Sequence, residues 1–145
     1  MKNNLYRIHL FIIVIIALIF AAKVQAQLQA SKDNTLYENE CGTLSDGSGA
    51  YLFAVRTAAP SGTAIRRGLI AFDIAVQIPA GATITSVTLS MRMSGSIAGN
   101  QTVELHRLLS DWGEGSSNAT GQKGTGTSAA TNDVTWLNTF FNSSF

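Results

Sequence analysis

Only one cysteine, Cys41, stands among the 145 residues, so no disulfide can close within the chain even in an oxidising compartment. Cohesion must come from packing, and the roughly 120 residues that follow the N-terminal segment are enough to bury a core. Charge is sparse as well. Asp, Glu, Lys and Arg make up 13% of the sequence and form no basic block. Nucleic acid is excluded as a partner on that ground, because neutralising phosphates takes clustered Lys and Arg. Histidine is scarcer still: His9 lies in the N-terminal segment and His106 is the only other one. No Gly-x-Ser-x-Gly elbow and no zinc-like Cys/His spacing accompany it. The acids Glu38, Glu40, Glu104, Asp111 and Glu114 could supply glycosidase-type pairs, but any nine carboxylates contain such pairs. No catalytic residue is assigned, and the chain is not read as an enzyme.

What is present begins with an export signal. Lys2 and Arg7 precede an uncharged apolar run over 10–22, and Val24-Gln25-Ala26 places small residues at a cleavage position. The run is shorter than the roughly 20 residues a membrane span needs. Residues 1–26 are therefore expected to be a signal peptide and 27–145 the exported domain, with membrane contact only if the signal stays uncleaved. Losing Lys2, Arg7 and Lys23 leaves seven basic against nine acidic side chains, a net charge of about −2.

Beyond residue 26 the pattern is that of short strands between small polar residues. Tyr51, Phe53 and Val55 alternate after the turn-forming Ser45-Asp46-Gly47-Ser48-Gly49. The run over 68–74 is apolar on both faces, which suits a central strand, and Pro79-Ala80-Gly81 stops the chain. Two more alternating runs, 87–93 and 103–109, are expected as strands. Residues 113–133 are mostly Gly, Ser, Thr and Asn with no apolar side chain larger than Ala, and are expected to form a long mobile loop. No internal repeat is visible.

Four stretches in this order resemble the DNRLRE domain family. They are Ser31-Lys32-Asp33-Asn34-Thr35-Leu36-Tyr37-Glu38, then the run over 66–74 ending in Phe72-Asp73-Ile74. Ile78-Pro79-Ala80-Gly81-Ala82-Thr83-Ile84 follows, and last Leu105-His106-Arg107-Leu108 with Asp111-Trp112-Gly113-Glu114-Gly115. The resemblance covers roughly 28–141. It implies an all-β, jelly-roll-like antiparallel β-sandwich in a secreted protein. It also implies a non-catalytic module that binds an anionic, uronate-containing polysaccharide and tethers an attached catalytic domain or surface protein. Further strands would follow the Trp136 region in that family, so the domain is expected to be incomplete at its C-terminus. The alternative is a structural or adhesive β-domain of a cell-surface protein without sugar specificity.

Uronates are gripped by planar guanidinium groups and sugar rings by aromatic platforms. Arg66, Arg67, Arg92, Arg107 and Trp112 are the candidate ligand-binding residues, with Arg56 and Trp136 nearby in the pattern. Each also has a structural reading: the arginines can pair with Asp73 or Glu104, and the tryptophans can anchor a core. No cofactor is required. A structural calcium ion, which takes loop oxygens, has Asp33, Asp46 and Asp73 as its candidates, with Asn34 beside the first. Three Asn-x-Ser/Thr triplets, at Asn100, Asn118 and Asn142, fit the glycosylation pattern.

Overall fold

The computed structural model describes residues 25–120 and 123–143. The expected signal peptide over 1–26 falls almost wholly outside them. Among the described residues no helix is long and apolar enough to cross a membrane. Its regular elements are mostly strands, with little helix, in two small antiparallel sheets, which agrees with an all-β class.

The first sheet joins β1 (Lys32–Tyr37), β3 (Val55–Arg56) and β4 (Ile65–Ala71), with β4 in the middle. The second pairs β2 (Leu44–Ser45) with β5 (Thr127–Ser128). The register sets Asn34 opposite Leu69 and Leu36 opposite Arg67 across β1 and β4, and Val55 opposite Arg66 across β3 and β4. Opposed residues share a face. One face of the sheet therefore carries Asn34, Leu36, Arg67 and Leu69, and the other Asp33, Thr35, Tyr37, Arg66 and Ile70.

The first face holds the apolar core, where Leu69 packs with Trp112 and Val134, and Leu36 and Ala71 close its edge. On the second face Tyr37 is fully buried, its ring beneath the Arg66 guanidinium at 5.0 Å. Arg66 is itself buried. Its Nε donates to the Gly124 carbonyl at 2.8 Å and its Nη1 to the Thr63 and Ile65 carbonyls at 2.8 and 2.9 Å. Three carbonyl acceptors make that interior tolerable for a guanidinium, which cannot shed its proton.

Burial, with the Asp46 charge adding to it, pushes the Tyr37 phenol up to about 12 from an ordinary 10.0. Because the folded value lies above the unfolded one, the stabilisation is fully present below pH 10 and disappears as pH rises through about 12. Two units correspond to about 2–3 kcal/mol. Urea unfolding followed from pH 8 to pH 12 is expected to show this loss, and Tyr37→Phe is expected to flatten it.

Several sequence expectations are corrected here. The strand over 68–74 begins earlier and ends at Ala71. Asp73 then caps a single turn, α1 (Ile74–Gln77), accepting from the Val76 amide at 3.2 Å. Pro79-Ala80-Gly81 does form the expected turn, closed by the Ala82 amide on the Pro79 carbonyl at 3.1 Å. Of the alternating run at 51–56 only Val55 and Arg56 pair. Residues 87–93 and 103–109 form no strand, because no other strand among the described residues lies beside them, and alternation without a partner makes no ladder.

The largest correction concerns 113–133. Trp112, Ser117, Ala119 and Asp133 are buried, so this segment is packed rather than mobile at both of its ends. Polar hydrogen bonds, which a count of apolar residues does not register, do the ordering. Asp133 accepts from the Ser116 and Ser117 amides at 2.8 and 3.4 Å through Oδ1, and from the Ala130 amide at 2.7 Å through Oδ2. Asp46 Oδ1 accepts from the Ala119 amide at 2.7 Å. Gly115, at φ +73°, lies so close to the Asp133 carboxylate that any side chain would overlap it.

Candidate functional site

The most developed concavity lies on the Tyr37 face of the first sheet. It is a groove of about 420 Å³ floored by Ile70 and Leu52 and walled by Asp33, Tyr51, Ser90 and Arg92. Strand β1 sets Asp33 there through its alternation, opposite Ile70 of β4. The tight turn at Asp46-Gly47-Ser48-Gly49, closed by the Gly49 amide on the Asp46 carbonyl at 3.1 Å, delivers Ala50 and Tyr51 to the rim. Tyr51 is half exposed, which leaves its ring open to a ligand. Arg92 is exposed, and among the described residues its guanidinium makes no hydrogen bond or ion pair.

Of the acids near the groove, Asp33 lines it, and Glu114 and Asp46 lie behind. The Glu114 Oε1 accepts from the Asp33 amide at 2.9 Å, and the Glu114 carbonyl accepts from Asn34 Nδ2 at 2.8 Å. Asn34 also exchanges hydrogen bonds with Ser45 Oγ and accepts from the Asp46 amide. Burial first, then the charges of Glu114 and Asp46, hold the Asp33 carboxyl above its usual range. It keeps its proton to higher pH than a free carboxylate. Behind it Asp46 is buried, and its Oδ2 has no hydrogen-bond partner among the described residues.

The sequence candidates are thereby sorted by place. Arg92 lines the groove, as does Asp33. Arg66 is interior and fully engaged by carbonyls, so it supports the sheet and reaches no ligand. Trp112 is core, with Lys32 Nζ 4.7 Å above its ring. That lysine bonds Asp111 at 2.6 Å, and this contact holds the Asp111 carboxyl below its usual range. Arg67 emerges on the opposite face, over the Trp136 ring at 4.9 Å. It overlooks a second, more apolar groove of about 280 Å³ between Leu36, Leu108 and Trp136. Arg107 is exposed and joins neither groove. A single cationic face made of all these arginines therefore does not form.

Of the calcium candidates, Asp73 serves as a helix cap, Asp33 lines the groove, and Asp46 lies buried against Gly49. Among the described residues no three His, Cys, Asp or Glu side chains converge as a metal set would. Tyr51 is a wall residue whose part was not anticipated, and Glu114 supports Asp33 through its amide. For Tyr51 the available signal was an aromatic residue directly after a Gly-rich turn, where loops present binding groups.

Comparison with known proteins gives no match: no family model, no curated protein and no solved structure is similar to this chain.

Proposed function

We propose that the chain is a secreted, non-catalytic β-sandwich module of the DNRLRE kind that binds an anionic, uronate-containing polysaccharide through the groove beside β1. The observation that carries this reading is the composition of that groove. An open aromatic ring, a guanidinium without a partner among the described residues and a carboxyl with a raised pKa line one depression. Tyr51 supplies the surface on which a sugar ring stacks, and Arg92 the planar donor pair for a uronate carboxylate. Asp33, with Ser90 and Ser94, meets the hydroxyls. The order of sequence motifs over 28–141 supports the same assignment, and the N-terminal signal supports export. In a longer parent protein such a module would hold an attached enzyme or surface protein on its polymer.

Titration calorimetry against alginate, pectate and a neutral glucan tests it. Binding to a uronate polymer, weakening as salt rises, is expected. Arg92→Ala and Tyr51→Ala are each expected to weaken it by about tenfold, or about 1.4 kcal/mol. Arg67→Ala, on the other face, is expected to leave it unchanged. No heat with any polymer from a folded sample, checked by circular dichroism, overturns the reading. The structural or adhesive alternative is favoured by one observation, the run of exposed apolar side chains between Ile84 and Leu109.

A further inference from the structure

Lys32 and Arg67 share the core face of the first sheet, and each stands over a tryptophan. The register sets Lys32 of β1 opposite Ala71 of β4, and Leu36 opposite Arg67. Lys32 Nζ lies 4.7 Å above the Trp112 ring and is neutralised by Asp111 at 2.6 Å. The Arg67 guanidinium lies 4.9 Å above the Trp136 ring. It is exposed, and among the described residues no hydrogen bond or ion pair engages it. Stacking holds a guanidinium by its face and leaves the N–H groups along its edge free. That edge is a ready bidentate receptor for a carboxylate.

The tryptophan under Arg67 is fixed by a short loop. The Thr135 amide donates to the Asn138 carbonyl at 2.8 Å, and the Thr135 hydroxyl accepts from the Asn138 amide at 3.1 Å. Between them Trp136 and Leu137 line the second groove. Leu36, directly across the ladder from Arg67, and Leu69, two residues along from it, line the same groove, so the guanidinium stands at its rim. Among the described residues no charged side chain lines the groove, and the side chains of Thr135 and Asn138 bond each other. Leu109 is 92% exposed and Leu137 61%, so much of this apolar wall faces water. A hydrocarbon body gains by covering it, whereas a sugar, whose hydroxyls need partners, gains little. At about 280 Å³ the groove lies just below the roughly 300–1,000 Å³ of drug-sized pockets, which limits the body to a short one.

We infer that this groove binds a small amphiphilic carboxylic acid, its carboxylate paired with Arg67 and its short hydrocarbon body laid along Leu36, Leu108 and Trp136. Charge selects the head group. An alkyl ammonium would meet Arg67 with like charge, and an alcohol would forgo the two charge-assisted hydrogen bonds of a carboxylate. Lys32 cannot take the place of Arg67, since Asp111 and the Trp112 carbonyl already hold its ammonium. Size selects against a macromolecule, because specific interfaces bury roughly 1,200–2,000 Å² and this groove is one small depression. The site lies on the sheet face opposite the Asp33 groove, so the inference does not depend on the polysaccharide reading.

Intrinsic fluorescence tests it, since the only two tryptophans of the chain, Trp112 and Trp136, both line the groove. Octanoate, octanol and octylamine carry one tail under three head groups, and each is titrated into the full chain below its micelle or solubility limit. Octanoate is expected to bind about tenfold more tightly than octanol, and octylamine least. Arg67→Ala is expected to weaken octanoate by about tenfold and to leave octanol unchanged, which separates loss of the carboxylate partner from damage to the groove. Arg67→Lys, which keeps the charge without the planar fork, is expected to fall between them. Arg67 is exposed, so circular dichroism of both variants is expected to match the parent chain. Equal affinity for octanoate and octanol overturns the inference, as does a folded chain whose fluorescence none of the three changes. Displacement of octanoate by trigalacturonate also overturns it, since the groove would then be a sugar subsite. So does a dimer in sedimentation that octanoate dissociates, since a second copy would then be the occupant.

Discussion

Asp133→Ala is expected to remove a large fraction of the folding free energy of this chain. The Asp133 carboxylate is fully buried and accepts three backbone amides, from Ser116, Ser117 and Ala130. Alanine offers these amides no acceptor. An unpaired buried amide costs about 1–3 kcal/mol, and the two shorter contacts come from part-buried amides, so a loss of about 2–4 kcal/mol is expected. Against a total of about 5–15 kcal/mol for an ordinary domain, that is a large fraction. Asp133→Asn separates acceptor loss from cavity formation. It keeps one oxygen for the Ser116 side and turns an NH₂ toward the Ala130 amide, so about half the effect is expected. Urea unfolding reports both variants, with Trp112 fluorescence as the probe because its neighbour Val134 adjoins Asp133. A midpoint within error of the parent chain for Asp133→Ala would refute the account of how 113–133 is ordered.

The second large effect is expected at Gly47, for a steric reason alone. A Cβ there would overlap the Glu114 carbonyl oxygen and crowd Asn34 Nδ2 at 3.0 Å. Neither neighbour can yield cheaply. The Glu114 carbonyl is held by Asn34 Nδ2, and the Glu114 carboxylate by the Asp33 amide. Overpacking costs about 1–3 kcal/mol. One displaced hydrogen bond adds about 1 kcal/mol, so Gly47→Ala is expected to destabilise by about 2–4 kcal/mol. Gly95→Ala is the matched comparison. A Cβ at Gly95 meets nothing within 4 Å, and that variant is expected to stay within about 0.5 kcal/mol of the parent. Thermal melts of the pair distinguish local packing from a general intolerance of glycine replacement.

These two positions mark what the sequence conceals. Strand β4 was legible because Leu69, Ile70 and Ala71 make it apolar on both faces, and such a run has one natural place, the middle of a sheet. The Asp46-Gly47 turn and the Pro79 turn were legible for a similar reason, since their chemistry is local. Asp133 was not. Its role depends on amides at 116, 117 and 130, and any aspartate in a Gly/Ser/Thr-rich stretch looks alike until the chain is folded around it. Arg66 and Arg67 illustrate the same limit from the opposite side. Adjacent in sequence and chemically identical, they point to opposite faces, so one is sealed under carbonyls and the other lies over Trp136. In the candidate groove, Arg92 was read from its strand-like context, whereas Tyr51 enters through a turn whose direction no periodicity encodes.

The order in which the chain can close also follows from these contacts. Asn34 meets Glu114 across 80 residues of sequence and Asp46 meets Ala119 across 73, while β2 at Leu44–Ser45 waits for β5 at Thr127–Ser128. Long-range closures lose chain entropy before they return any energy, and folds that depend on them assemble slowly. The first sheet can pair once β4 at Ile65–Ala71 has emerged, whereas the contacts of Asn34, Asp46 and β2 wait for residues 114–128. The second sheet is therefore the later of the two to close, because β2 has no strand to pair with until Thr127–Ser128 is made.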